Sequence, residues 1–534
     1  MSMEDHFQTA IDNITRLGDT DVLPFPIENQ IFFDKRNEVV QLLKDIHADL
    51  RAALQATPPV NESMLTSVGY TGFRWATQID PIWNAYFLAL VISLGSQIEN
   101  VRLPIDKGIV FSYRFNPDVE SSTLFDKDIG WGQFQDRSLR LAQEFRTVLA
   151  CDISDFYPRI YHHRLENALK KAAPGSDSIW RIMLLLDNFS KNVSYGLPVG
   201  GPGARLLSEL LLNRVDRLLV SSGVVFCRFA DDYRIFAQND EDAYKHLLFL
   251  SEKLLENEGL LLQKSKTRVM SSEEFITTSE FGDGDPADTQ EEAEGRQFLR
   301  LKIHYDQYSQ TAVEDYEELR SELAKFDVVK MLAREVRKSR IHQTLTRKLI
   351  SALKFVDSPI RQGAIATLLE NLQILYPVFP SIALLLKSCL GDLDEDTRKS
   401  VFSKLRALVR ERSYIVMVPA NLAYTVRLLA FDTSEEADEI LVHIYEESSS
   451  IGVRRDVILA LARKNADYWI SDRRKHFATL SEWEKRAILV SSYILEDEGS
   501  HWRKSIRLVL TPLQRLSIEW ASEKKDSGTW EIPV

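Results

Sequence analysis

The stretch CRFADDYRIF, residues 227–236, decides how this chain reads. Two apolar runs, VVFCRFA and YRIFA, flank Asp231 and Asp232 as the strands of a tight hairpin flank their turn. Adjacent aspartates in a turn usually signify only turn chemistry, because their side chains bond the nearby backbone. A third carboxylate changes the reading. Asp152 closes the run FRTVLACD and precedes a helical pattern, so a neighbouring strand can bring it to the same edge. Three unpaired carboxylates repel one another unless cations bridge them. Hard oxygen donors few in number suit Mg2+, which keeps room for phosphates and water. Two such ions about 3.5–4 Å apart are the arrangement that nucleotidyl transfer needs.

Working outward, helical patterns cover residues 161–172 and 178–189, and the Gly/Pro loop GLPVGGPG (196–203) introduces a third over 204–220. The hairpin follows, then a helical pattern over 240–256. Strand, helices, strand, strand, helix is the skeleton of a polymerase palm. The segments ACDISDFYPRI (150–160), GLPVGGPGARLLSEL (196–210) and CRFADDYRIF stand in the order and at the spacing of motifs A, B and C of reverse transcriptases. Over roughly residues 102–270 the chain resembles that family.

The resemblance implies roles residue by residue. Asp152, Asp231 and Asp232 match the catalytic metal ligands, with the backbone of Ile153 beside them, and the cofactor is a pair of Mg2+ ions or Mn2+. Asp155, Phe156 and Tyr157 match the dNTP side of motif A, and Tyr157 stands where a ring beneath the sugar excludes ribonucleotides. Pro198 and Gly200 match the nucleotide-facing loop of motif B. Lys266, in GLLLQKSKTRV, resembles the motif D lysine, a general acid for departing pyrophosphate. Lys107 and Arg114, in PIDKGIVFSYRF, are candidates for holding the triphosphate. Motif B departs from the common pattern, with Val199 in place of Gln and Ala204-Arg205 in place of Ser-Pro. The usual finger motifs are not visible upstream. His162-His163 lacks a Cys or acidic partner at metal-ligand spacing and reads as structural.

A Val-Gly-Gly motif B, FSYR upstream and a long helical C-terminal region look like the bacterial abortive-infection (Abi) reverse transcriptases, the AbiK-like prophage and plasmid group. That likeness implies antiphage defence, homo-oligomers, and DNA synthesis without a template from a protein hydroxyl, leaving single-stranded DNA covalently attached. A conventional RNA-templated enzyme is one alternative. A non-enzymatic helical scaffold with an inactive palm is another, although the three carboxylates are what such a palm would be free to lose.

The fold class expected is α+β. Residues 1–100 form a mostly helical region joined to the fingers, and 101–310 form fingers and palm with an acidic loop near 273–294. Residues 311–534 form an all-α, HEAT-like domain in place of a thumb. Short β-branched runs between polar turns predict strands across residues 102–153. Beyond residue 311, helix starts recur at Ser358-Pro359, Asp394, Ser434 and the capping box Ser481–Glu484, roughly 36–47 residues apart.

Composition agrees. With 534 residues, 44% hydrophobic and 27% charged, the chain is an ordinary globular protein of several domains. Three scattered cysteines suggest neither a disulfide framework nor a zinc site, and the acidic N-terminus lacks the basic patch and apolar core of a secretory signal. A bacterial cytoplasmic location is expected. The apolar stretch 85–94 is too short to span a membrane and reads as a buried helix. A net charge of −12 argues against nucleic acid as partner, but the charge is uneven: residues 330–361 carry nine Lys or Arg against Glu335 and Asp357. That strip is either a phosphate-binding surface or the wet face of an amphipathic helix.

Overall fold

A computed structural model describes residues 2–20, 23–190, 193–278, 294–295, 297–299, 301 and 319–534. The chain divides into two compact units, one of residues 1–61 and 77–286, the other of 62–76 and 287–534.

The first unit begins with four helices, α1 (Met3–Leu17), α2 (Pro26–Asp34), α3 (Arg36–Ala48) and α4 (Leu50–Ala56). A capping box between Ser2 and Asp5 starts α1, which buries Phe7, Ala10, Ile11 and Ile14 against α5 (Pro81–Ser93). The stretch 85–94 does lie in a buried helix, since α5 is enclosed on nearly every side. After α6 (Gly95–Val101), β3 (Phe115–Asp118) and β4 (Thr123–Phe125) form a small antiparallel pair. A methyl group on Gly95 would collide with the Phe115 ring, so glycine is required there.

The centre is a four-stranded antiparallel sheet of β5 (Thr147–Asp152), β6 (Val225–Phe229), β7 (Asp232–Ala237) and β8 (Arg268–Ser271), in the order β6-β7-β5-β8. One face packs on α7 (Trp131–Glu144) and α13 (Ser272–Thr278) through Phe111, Phe134, Leu141, Val148, Cys227, Phe236 and Phe275. Helices α8 (Phe156–Arg159), α9 (His162–Ala172), α10 (Asp177–Phe189), α11 (Pro202–Ser221) and α12 (Asp240–Glu258) complete the unit. An antiparallel sheet on helices, followed by a helical region, is the α+β class expected.

Several local expectations need correction. Residues 131–144 are helical because Phe134, Ser138, Leu141 and Ala142 recur at helical spacing, which the β-branched runs on either side obscured. GIVFSYRF is not a strand except at its last residue, Phe115, which opens β3. It makes an isolated parallel bridge from Val110 to Arg228, and Tyr113 turns the chain with φ of 45°. The N-terminal hundred residues also include strands, β1 (Asn61–Val68) and β2 (Gly72–Ile79), paired as a hairpin. Residues 273–278 of the expected acidic loop belong to α13, and 279–293 lie outside the described residues.

The second unit takes residues 62–76 of that hairpin and the helices beyond residue 319. Helix Phe379–Cys389 packs on Pro419–Leu429, which packs on Ile451–Arg463, then Glu482–Ser491, then Pro512–Asp526. The first step skips two intervening helices, Glu395–Arg410 and the short Tyr414–Met417, and each later step skips one, so the apolar faces form one continuous core, as in stacked helix pairs. The expected starts hold: a helix begins at Ser358, Asp394 caps helix Glu395–Arg410, Ser434 caps helix Glu435–Glu447, and Ser481–Glu484 is a complete capping box. Among the described residues one helical run, Leu372–Asp392, is long and apolar enough to cross a membrane, and 61% of it is buried inside the protein.

Candidate active site

The sheet register brings two of the carboxylates together. Asp152, the last residue of β5, lies opposite Asp232, the first of β7. Phe229 pairs with Asp232, so Ala230 and Asp231 make a two-residue turn between β6 and β7. Ala230 has φ of 51°, a left-handed conformation that favours glycine and costs an alanine roughly 1–2 kcal/mol. The surroundings hold the turn in place. The Asp231 carbonyl accepts the Ile153 N–H at 3.2 Å, and the Ala230 carbonyl accepts from Arg228 Nη1 at 2.7 Å.

The charge in this corner is unbalanced. Burial, then the charges of Asp152 and Asp232, push the Asp231 carboxyl up to about 7, and it shares a hydrogen bond with Asp152. Burial also raises Asp232, with Arg234 pulling the other way from 3.6 Å. Lys266 donates to Asp152 although its side chain is 64% exposed. Burial works against its charge, but Asp152, Asp232 and Asp231 outweigh that and raise its pKa. Hard carboxylate oxygens crowded until a proton bridges two of them fit divalent cations. Among the described residues the side chains do not form a preformed metal cage. Lys266 occupies the Oδ2 atom of Asp152.

Motif A continues as the sequence implied, with corrections at its side chains. Asp155 is exposed, with φ of 48°, and turns the chain from β5 into α8. Phe156 is only 3% exposed, so its ring belongs to the core and not to a nucleotide pocket. Tyr157 bonds Ser208 of α11, and burial, followed by neighbouring Tyr113, pushes its phenol well above the ordinary value. Its carbonyl accepts the Leu197 N–H at 2.9 Å, which ties motif A to motif B. Pro198 and Gly200 border a cavity of about 20 Å³, room for a single water and not for a nucleotide. His162 is structural: a ring nitrogen meets the Gly196 carbonyl at 2.7 Å and steadies the same loop.

Arg114 is the clearest correction. It is 2% exposed, paired with Glu99 and bonded to the Leu103 carbonyl at 3.0 Å, so its guanidinium is committed inside the fold and cannot hold a triphosphate. Lys107 is exposed on a short 3-10 turn.

Sequence reasoning missed what underlies the turn. Arg228 is fully buried and bonds Asp216 through Nε at 2.9 Å and Nη2 at 2.6 Å, and Glu209 at 3.0 and 3.2 Å. Glu209 also receives Arg102 at 2.7 Å and Ser112 at 2.6 Å, while the Tyr233 hydroxyl donates to Asp216 at 3.2 Å. With Arg114 and Glu99, three guanidinium groups face three carboxylates. A signal was present. Glu209 and Asp216 are acids seven apart on one face of an apolar helix, and Arg228 lies in an apolar strand.

Residues 106–303 match the family described as reverse transcriptase (RNA-dependent DNA polymerase). The chain carries a reverse transcriptase domain. The matched span contains β5, the β6–β7 turn and Lys266. No curated protein matches the chain by sequence. Solved structures similar to it include telomerase from Candida albicans in complex with a TWJ fragment of telomeric RNA, at 11% identity and a TM-score of 0.31, covering 74% of this chain and 65% of that one. Apo telomerase from Candida tropicalis is similar at 9% identity and a TM-score of 0.30, covering 76% and 72%. The chain thus spans just under two thirds of the first of these.

Proposed function

We propose that the reverse transcriptase domain polymerises dNTPs into DNA, that Asp152, Asp231 and Asp232 with the Ile153 backbone hold two divalent cations, and that the protein serves in antiphage defence by abortive infection. The observation carrying the catalytic part is the register Asp152↔Asp232, with Asp231 next to it on a strained and anchored turn. Bound there, Mg2+ or Mn2+ supplies activation of the attacking oxygen and neutralisation of the leaving pyrophosphate. The protein's own residues do the rest. Arg228 fixes the turn that presents Asp231, and the Tyr157 ring lies beneath the sugar. Lys266, released from Asp152, carries the proton for the leaving group.

Untemplated, protein-primed synthesis is the finer reading, and it rests on the likeness to the AbiK-like group. A tyrosine outside residues 152–237 is the proposed primer, since Tyr233 is buried in the sheet and Tyr157 is held against Ser208. The second unit acts as a HEAT-like scaffold, and the protein works as a cytoplasmic homo-oligomer. Three buried free cysteines suit a reducing compartment.

The test is incubation of pure protein with labelled dNTPs and Mg2+, with and without an added primer–template. Label that survives boiling in detergent and is released by protease supports protein priming. Synthesis only with an RNA template, the activity described for the matched family, makes the conventional enzyme the better reading. Asp231→Ala with Asp232→Ala should lower incorporation by several orders of magnitude while the circular dichroism spectrum and melting temperature persist. Incorporation by that variant removes the metal-site assignment, and no incorporation by the parent leaves the scaffold reading.

A further inference from the structure

The β1–β2 hairpin returns along β2, and the end of that strand meets the motif B loop. The Thr77 N–H donates to the Val199 carbonyl at 3.2 Å, so the loop lies along the edge of β2 that β1 leaves open. Side chains alternate along a strand. Phe73 and Trp75, 56% and 54% exposed, share one face, while Ala76 and Gln78, 0% and 2% exposed, share the other.

A glutamine so enclosed costs free energy unless its amide is bonded, because burial removes the water that satisfied it. Among the described residues Gln78 Nε2 has no hydrogen-bond partner. Gln78 lines the cavity of about 20 Å³ that Pro198 and Gly200 border, a volume that fits one water.

Acceptors line the same wall. Asp19, 2% exposed, takes the Phe25 N–H at 3.4 Å and the Asn29 amide at 3.2 Å, both on Oδ1, which leaves Oδ2 able to accept. Asn84 donates to the Asp19 carbonyl at 2.9 Å, and its Oδ1 lies 3.9 Å from where a β-carbon on Gly201 would stand. The Val199 carbonyl keeps a lone pair beyond the one that Thr77 uses. One donor and several acceptors around such a volume supply the two to four partners a buried water requires.

The loop has need of a tie. Gly196 and Gly200, with φ of 99° and 122°, give it the backbone freedom of glycine. The Leu197 N–H is fixed to the Tyr157 carbonyl before it, and α11 begins at Pro202 after it.

We propose that Gln78 is a positioning residue for the loop of residues 198–201, its amide holding the loop through one buried water. The water accepts from Gln78 Nε2 and donates to the Val199 carbonyl and to Asp19 Oδ2. That the loop faces the nucleotide rests on the function proposed above. Gln78 touches no substrate, so its mark falls on KM and not on kcat.

The test compares the full chain with Gln78→Met, which keeps the length of the side chain, removes the donor and should keep the parent's melting temperature. A high-resolution crystal structure of the parent should show a water bonded to Gln78 and Val199. Amide hydrogen exchange across residues 199–201 should quicken by about 10-fold in the variant. Its KM for dNTP should rise by about 10-fold, with kcat within about twofold of the parent. A parent without that water, or unchanged exchange in the variant, overturns the tie whether or not the protein incorporates dNTPs. Quickened exchange with an unchanged KM overturns the positioning of nucleotide. A fall in kcat and melting temperature together, with KM unmoved, makes Gln78 a stability residue and overturns the proposal. If the parent incorporates no dNTP while the water and the exchange behave as expected, the polymerase reading fails and the tie stands.

Discussion

Both units bury an arginine against an aspartate, and they use the pair differently. In the first, Arg228 grips Asp216 and Glu209 and spends one further donor on the Ala230 carbonyl, so the pair fixes a turn that carries a catalytic candidate. In the second, Arg427 of helix Pro419–Leu429 reaches Asp456 of helix Ile451–Arg463 at 2.7 Å, so the pair fixes how neighbouring helices stack. A buried ion pair is weak evidence for stability, because desolvation offsets most of the attraction. Its surer effect is to forbid alternatives: a misplaced turn or a slipped helix would strand a charge without water. The first unit needs that at one corner, and the second needs it along a row.

The most severe way to break the comparison is to remove each arginine. Arg228→Met should destabilise by roughly 3–5 kcal/mol, since it leaves the buried Asp216 carboxylate without a cation, and Arg427→Met by less, since Arg455 still pairs with Asp456 at 2.6 Å. Only Arg228→Met should lower kcat for dNTP incorporation when measured well below its melting temperature. Equal loss in both would mean that Arg228 acts through stability alone. Tyr157→Ala probes the turn's neighbourhood and should shift ribonucleotide over deoxynucleotide incorporation by about 1–3 kcal/mol in competition assays. An unchanged ratio would place the sugar gate elsewhere.

Glu258 at the end of α12 gives a pH test. Burial raises its carboxyl to about 7, with Arg164 and Arg214 pulling it down. A raised acid binds its proton more tightly when folded, so its cost is absent below the ordinary value near 4.5 and grows as pH rises towards 7. Glu258→Gln should therefore be neutral at pH 4 and more stable than the parent by on the order of 2 kcal/mol at pH 8, read by denaturant titration. The smallest effect belongs to the second unit. Ser481→Ala removes the capping box of helix Glu482–Ser491 and should cost about 1 kcal/mol without changing incorporation.

What the sequence disclosed and what it withheld follow from range. The hairpin at Asp231, the strand ending at Asp152, helices α9 to α12 and the caps at Asp394, Ser434 and Ser481 are written in nearby residues, through periodicity and turn chemistry. Arg114 and Phe156 went astray because a motif position does not say which way a side chain faces. The Arg228 network was hidden because its bonded partners lie up to 107 residues apart, and only the fold shows that their charges cancel. Helix α7 was lost between β-branched neighbours, where Phe134 and Leu141 mark a helix only when read three and four apart.

The hairpin also sets an order of events during synthesis. Tyr70 meets Ile374 across 304 positions of chain, and Tyr376 meets Tyr70 across 306. A ribosome working from the N-terminus delivers Phe73 and Trp75 long before the helices that seat their hairpin exist. For that interval the two exposed rings sit on a hairpin that has no anchor. Severing the chain near residue 286 would yield a helical fragment that lacks residues 62–76, so the two halves should recover their full structure only when expressed together.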